Sequence, residues 1–288
     1  MEHVPRRDRV PLRYAADRRS LFVLGALTVL FIVEWSGVAR HPGLLAATCV
    51  LAFVACVVKH NHVHCSTFTR RRWNAVFGVL LSLLTGHPTT AIITAHNVRH
   101  HGHNQSTLDW VRCSVVGFRW NWMNLLAFPF VAVARMRRER ASDLRVWRRA
   151  RPALYRQAVA ERVALYGVMA PLFALDWKAT LVYLVGPWLF GQWGIVTINL
   201  LQHQGCDPAT PWNHSRNVTG HVVNWLLLNN GFHTAHHVWP SVHWSLLPEV
   251  HRTSVVPYMR PELEHRSLIA ACWHQFVKAP RAAPVEAR

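Results

Sequence analysis

The chain of 288 residues is 51% hydrophobic with 14 tryptophans, yet it carries a formal net charge of +18. An ordinary soluble globule does not combine these properties, whereas a membrane protein with basic loops does. Nucleic acid, the usual partner of so basic a chain, is excluded because a nucleic-acid module would not need apolar residues gathered into long runs.

Residues 1–19 form a basic segment with six arginines (Arg6, Arg7, Arg9, Arg13, Arg18, Arg19). No A-x-A-like cleavage site follows the first apolar run, so that run is expected to be a retained membrane helix. Four runs approach the ~20 residues that span a bilayer: 20–38, 43–59, 162–177 and 179–201. The second and third are short and should extend into their flanks. Between them, the run 75–95 is interrupted by Gly86-His87-Pro88, which predicts two short helices dipping into the interface. The Trp-rich stretch Trp120–Val133 is expected to lie there too. The basic run Arg135–Arg162 reads first as an anchor on anionic headgroups, with docking of an acidic acyl carrier protein, the phosphates of coenzyme A or an acidic ferredoxin as the alternative. The tail beyond Pro280 is expected to be disordered.

With a cytoplasmic N-terminus, the external loops carry only Arg40 and Lys178, and the remaining basic residues fall inside. That is a positive-inside asymmetry. It predicts an all-α integral membrane protein with four transmembrane helices and a helical cap on the cytoplasmic face. The six cysteines form no CxxC pair or disulfide framework and are read as reduced.

Histidines dominate the chemistry. They fall as His60-x3-His64, His96-x3-His100-His101 and His233-x2-His236-His237. On helices such offsets bring rings to one face within a turn or two, and each ring offers a neutral nitrogen to a metal. Imidazole sites suit Zn, Cu, Fe or Ni. Eight rings overfill a single zinc site, so two ions are expected. Asn199-x3-His203 at the end of the fourth run adds a ninth imidazole and an amide that could hold a metal-bound water. All the groups fall on one side of the predicted topology. His62 and His103 read as residues that support the ligands or face solvent rather than bind metal, and His87, His214, His221, His243 and His251 read as structural or interfacial.

This order of boxes resembles the membrane fatty-acid desaturase and hydroxylase superfamily, with matching context in HHGHNQSTLDW and NNGFHTAHHVWPSVHWSLLPE. The likeness covers about residues 20–260, leaving 261–288 as a C-terminal segment. It implies a non-haem di-iron centre of two iron ions held by His60, His64, His96, His100, His101, His203, His233, His236 and His237, with a water-mediated contact from Asn199. The implied reaction uses O2 and two electrons to remove hydrogen from a methylene of a fatty acyl chain. Loss of a second hydrogen gives an alkene, and return of oxygen gives an alcohol. The substrate would be a fatty acyl lipid, acyl-CoA or acyl carrier protein. Electrons would come from a separate ferredoxin or cytochrome b5-type donor, since no haem or flavin module fits this length. A hydroxylase or ketolase working on carotenoid, sterol or alkane substrates is the enzymatic alternative. A metal transporter is the non-enzymatic one, and it should bury ionisable ligands at mid-membrane.

Overall fold

The computed structural model describes residues 11–139 and 143–278. The expectations for Arg6, Arg7 and Arg9, and for the tail beyond Pro280, lie outside the described residues. The fold is helical almost throughout, with one parallel pairing of β1 (Asn217–Val218) and β2 (Glu264–His265).

Helix α1 (Arg18–Trp35) turns back through residues 36–41 into α2 (Pro42–His64). Pro42 and the His41 ring, which accepts from Gly43 N at 3.0 Å, start α2 in the manner expected of an N-terminal proline and a side-chain cap. The helix runs past the expected boundary at 59 and so carries His60 and His64 on its last turns. An acidic side chain sits inside this apolar pair: Glu34 is fully buried and accepts from Thr48 Oγ1 at 2.6 Å. That bond offsets part of the cost of removing the carboxyl group from water.

The interrupted run resolves into α3 (Arg71–Thr85) and α4, which has π geometry over Ile93–His100 and continues through His101–His103. Gly86 ends α3 with φ +64°, and a Cβ there would overlap the Trp188 ring. Only glycine meets both conditions. Helix α5 (Asn121–Glu139) covers the Trp-rich stretch and α6 spans Asp143–Ala150. The basic run is therefore not one surface segment. Its last part forms the first turns of α7 (Pro152–Thr180). There Glu161 is 1% exposed and accepts from Thr90 N at 2.8 Å, Thr90 Oγ1 at 2.7 Å and Gln157 Nε2 at 3.0 Å. The residues leading into α4 are thus tied to α7.

At Asp176 the chain leaves helical geometry (φ −150°, ψ 90°), and its carboxylate accepts from Ala179 N to restart the helix. A π turn over Leu181–Val185 leads into α8 (Gly186–His203). The expected spans 162–177 and 179–201 thus lie in one stretch of 52 residues, Pro152–His203, bent near their boundary. This stretch and α2 are, among the described residues, long and apolar enough to cross a membrane. Helix α1, of 18 residues, includes Arg18, Arg19 and Glu34. Large apolar side chains such as Phe22, Ile32, Val163, Leu175 and Leu189 face outward, where lipid rather than water suits them.

Two connections meet at one end of the helices. Trp35 Nε1 donates to Thr180 Oγ1 at 2.9 Å, and Arg40 lies 3.9 Å from Asp176. The histidines occupy the opposite end. Helices α2 and α8 approach closely through Gly191, where a Cβ would come within 2.7 Å of the Ala52 carbonyl oxygen. Small residues permit such backbone contact between apolar helices. Gly191→Val is expected to push the pair apart, costing about 1–3 kcal/mol by overpacking. Thermal unfolding in detergent would show a lowered midpoint.

Helix α10 (Leu268–Cys272) and the π turns after it pack on α5 and α8. Asn121 Nδ2 donates to the Gln275 carbonyl at 3.0 Å, and Gln275 Nε2 donates to Gln204 Oε1 at 3.0 Å. The described part of the C-terminal segment is therefore joined to the helical body.

Candidate metal centre

All nine expected histidines come together at the end of α2 and α8. They form two sets, His60, His64, His96, His101 and His236 in one, and His100, His203, His233 and His237 in the other. Within each set the candidate ligand atoms lie within 4.8 Å of one another. The sets share a wall, where the His101 and His237 rings stack with centroids 4.1 Å apart.

Each group reaches this place for a local reason. His60 and His64 ride one face of α2, as i, i+4 spacing requires. The π geometry of α4 changes the register, so that His96 and His101 face one set and His100 the other. The third group begins α9 (His233–Val238) after Leu228 and Asn229, both in the left-handed region (φ 48° and 57°). That helix is pinned by Thr234, whose N–H donates to Asn217 Oδ1 at 2.9 Å and whose Oγ1 accepts from Asn217 Nδ2 at 2.9 Å.

The donor set fits metal ions. His64 Nε2, His100 Nε2, His101 Nδ1, His233 Nδ1, His236 Nε2 and His237 Nε2 are buried ring nitrogens with no hydrogen-bond partner. Buried polar atoms are seldom left so, and a cluster of them points to an ion. The opposite nitrogens of several rings are held, as in known histidine–metal sites. His100 Nδ1 lies 2.9 Å from Asp109 Oδ2, and His203 Nδ1 lies 2.9 Å from the His214 carbonyl. His60 Nδ1 sits 3.2 Å from Asn61 Oδ1 and 3.1 Å from the Asn230 amide. Oriented in this way, His203 Nε2 comes 2.9 Å from His233 Nε2.

Burial first, and then the neighbouring imidazoles, hold His96, His101, His233, His236 and His237 below the ordinary imidazole range. The rings are therefore neutral near pH 7 and offer lone pairs to a cation. The unfolded chain takes up these protons near pH 6.5, whereas the folded chain resists them. The stability of the metal-free protein is thus expected to be complete above pH 6.5 and to fall progressively below it. Urea unfolding midpoints measured from pH 7.5 down to 4.5 would check this.

Asn199 stands on the wall of a cavity shared with His60, His96 and His233, its Nδ2 donating to the Val111 carbonyl at 3.0 Å. Other histidines have separate partners. His62 bonds Thr67 Oγ1 at 3.0 Å and packs on Phe77. His243 lies 3.2 Å from Asp17, and His251 lies 3.4 Å from Glu264. The His214 ring sits 5.1 Å from that of His237, beside the four-histidine set.

Sequence reasoning missed Asp109, Asn230 and the His214 carbonyl. Asp109 had a signal: it is the only acidic residue between Glu34 and Glu139. The other two had none, since a distant asparagine and a backbone oxygen leave no pattern.

No curated protein matches the chain. The family model described as Fatty acid desaturase matches residues 34–267, a region that contains all nine histidines. By that match the chain belongs to the fatty acid desaturase family, the membrane desaturase and hydroxylase superfamily of oxidoreductases.

Proposed function

We propose that the two histidine sets hold a pair of iron ions and that the protein introduces a double bond into a fatty acyl chain, using O2 and electrons from an external donor. The observation that carries this reading is the cavity of about 160 Å³ whose lining brings His60, His96 and His233 together with apolar side chains such as Val111, Val133, Ile195 and Val196. An alkyl chain held there has its methylenes against the histidine wall, while the apolar lining excludes water.

The iron pair would supply the redox chemistry that attacks an unactivated C–H bond. The protein's own residues orient the donors. Asp109 and the His214 carbonyl fix two rings of the four-histidine set, and Asn61 and Asn230 fix His60 in the other. Asn199 would hold a water facing the metals. The sites lie at the ends of α2 and α8 rather than midway along them, which disfavours a transport path. We place the four helices 20–38, 43–59, 162–177 and 179–201 across the membrane, with the histidine end in the cytoplasm. There the basic residues could receive an acidic ferredoxin, a cytochrome b5-type donor or an acyl carrier.

The test is expression in a host supplied with ferredoxin and ferredoxin reductase, followed by metal analysis and mass spectrometry of total lipids. About two irons per chain, the number that two closed sets would hold, together with new double bonds is the expected result. Hydroxyl or keto products would move the assignment to a hydroxylase or ketolase, and zinc alone with an unchanged lipid profile would overturn both.

A further inference from the structure

The stretch that follows the third histidine group is held by a residue from the other end of the sequence. Asp17, 4% exposed, ends the single turn that precedes α1. Its Oδ1 accepts from Trp244 Nε1 at 3.0 Å and from Ser20 Oγ at 3.1 Å, and its Oδ2 lies 3.2 Å from His243 Nε2. His243 Nδ1 accepts from Ser245 N at 3.3 Å, which leaves the ring proton on Nε2, facing the carboxylate. Trp244 and His243 therefore both donate to Asp17.

A tether for the residues ahead of α1 is the plainest reading of these bonds. That tether already exists elsewhere: Arg13 N donates to the Thr67 carbonyl and Thr69 N to the Pro11 carbonyl, each at 2.9 Å. What Asp17 adds is a fixed position for Trp244, and Trp244 has a second bond. Its carbonyl accepts from Asn229 Nδ2 at 3.1 Å, which closes a loop around the third histidine group. Asn229 follows Leu228, and both are left-handed. Residues with a side chain rarely adopt that backbone, and it persists only where surrounding contacts hold it. The bond to Trp244 is such a contact. The next residue, Asn230, is buried; its amide lies 3.1 Å from His60 Nδ1 and donates to Asn61 Oδ1 at 3.4 Å, beside the same ring. A bonded route thus runs from Asp17 through Trp244, Asn229 and Asn230 to a ring of the five-histidine set. Helix α9 is pinned separately by Thr234 and Asn217, so the route ends on His60.

We propose that Asp17 is a positioning residue for the metal centre: acting through Trp244 and Asn229, it holds Asn230 against His60 and so fixes the angle at which that ring meets an ion. The inference rests on the histidine sets holding metal, and it extends the support of the centre to the residues ahead of α1.

The test uses the full chain in detergent, freed of metal and titrated with cobalt(II), whose absorption bands report the sites. The bands that remain in His203→Ala identify the five-histidine set. Asp17→Asn keeps the shape but leaves one acceptor oxygen for the Trp244 and His243 donors. It is expected to shift those bands and to weaken cobalt binding at that set about tenfold, the lower end of what loss of a partner behind a ligand costs. The bands of the four-histidine set should stay as in the wild type. Asn229→Gly keeps the backbone, because glycine accepts the left-handed region, and removes the bond to Trp244; the same shift is expected. Since both residues act along one route, the double variant should lose about tenfold, whereas independent effects would multiply to about a hundredfold. A hundredfold loss would overturn the proposal. So would a lowered thermal midpoint with unchanged cobalt bands in either single variant, the outcome of a tether alone. If Asp17→Asn does not fold, Trp244→Phe removes the donor to Asp17 while keeping the carbonyl, and unchanged bands there are equally fatal. The two readings fail separately. Bands that shift as expected in a chain that oxidises no lipid would overturn the proposed function alone. New double bonds with bands indifferent to Asp17 and Asn229 would overturn the positioning role alone, and a chain that binds no cobalt would overturn both.

Discussion

Changing His203 to alanine is expected to reduce bound iron from about two ions per chain to about one, because it leaves three imidazoles in a set that closes with four. Product formation should fall below detection, since the proposed chemistry needs both ions. The argument rests on one short distance. His203 Nδ1 points at the His214 carbonyl, which places its proton on that nitrogen and turns the lone pair of Nε2 toward His233 Nε2, 2.9 Å away. Two nitrogens so close require a proton or a cation between them, and a cation satisfies both rings together with His100 and His237. His236→Ala is the informative comparison. It too should abolish product, but its set retains four rings, His60, His64, His96 and His101, and should lose less metal. Iron per chain in the two variants, measured beside membrane insertion, separates an emptied site from an unfolded protein. Persistent product in either variant would show that the ligand assignment is wrong.

The histidine boxes were legible because the spacing that marks them is local. Offsets of three and four residues predict a shared helix face, and α2 supplies one. The interruption at Gly86 was legible for the same reason, since glycine and proline act on their own backbone. Longer-range features left weaker traces. Run length could not show that Pro152–His203 is one bent stretch, because the bend depends on Asp176 capping the helix that follows it. Nor could composition show that Glu161, in a run read as a basic surface segment, is a buried acceptor for Thr90, 71 residues earlier. Asn104, Asn213 and Asn217 each begin an N-x-S/T triplet in the sequence, and all three are expected to be unmodified. Asn217 is fully buried beside Thr234, so that triplet serves the scaffold of the candidate metal centre.

Asp109→Asn is expected to lower metal affinity or activity about 10–100-fold while leaving the fold largely intact. The carboxylate is fully buried and serves three groups at once. Oδ2 lies 2.9 Å from His100 Nδ1 and accepts from Gln105 N at 3.0 Å, while Oδ1 accepts from Val111 N at 2.9 Å. Its charge favours a proton on His100 Nδ1, which leaves Nε2 as the donor turned toward His203 and His237. An asparagine keeps the shape but has one acceptor oxygen for three donors, so either the loop or the imidazole loses its partner. If the amide nitrogen turns to His100, the ring must accept at Nδ1 and carry its proton on Nε2, the atom needed for the metal. The effect should therefore centre on the four-histidine set, and spectroscopy of a cobalt-substituted protein would show one site perturbed and the other retained. Asp109→Ala should add a loss of thermal stability, because Gln105 N and Val111 N then lack acceptors as well. If Asp109→Asn matched the wild type in metal content and turnover, Asp109 would be a loop tie alone and the orientation of His100 would come from packing.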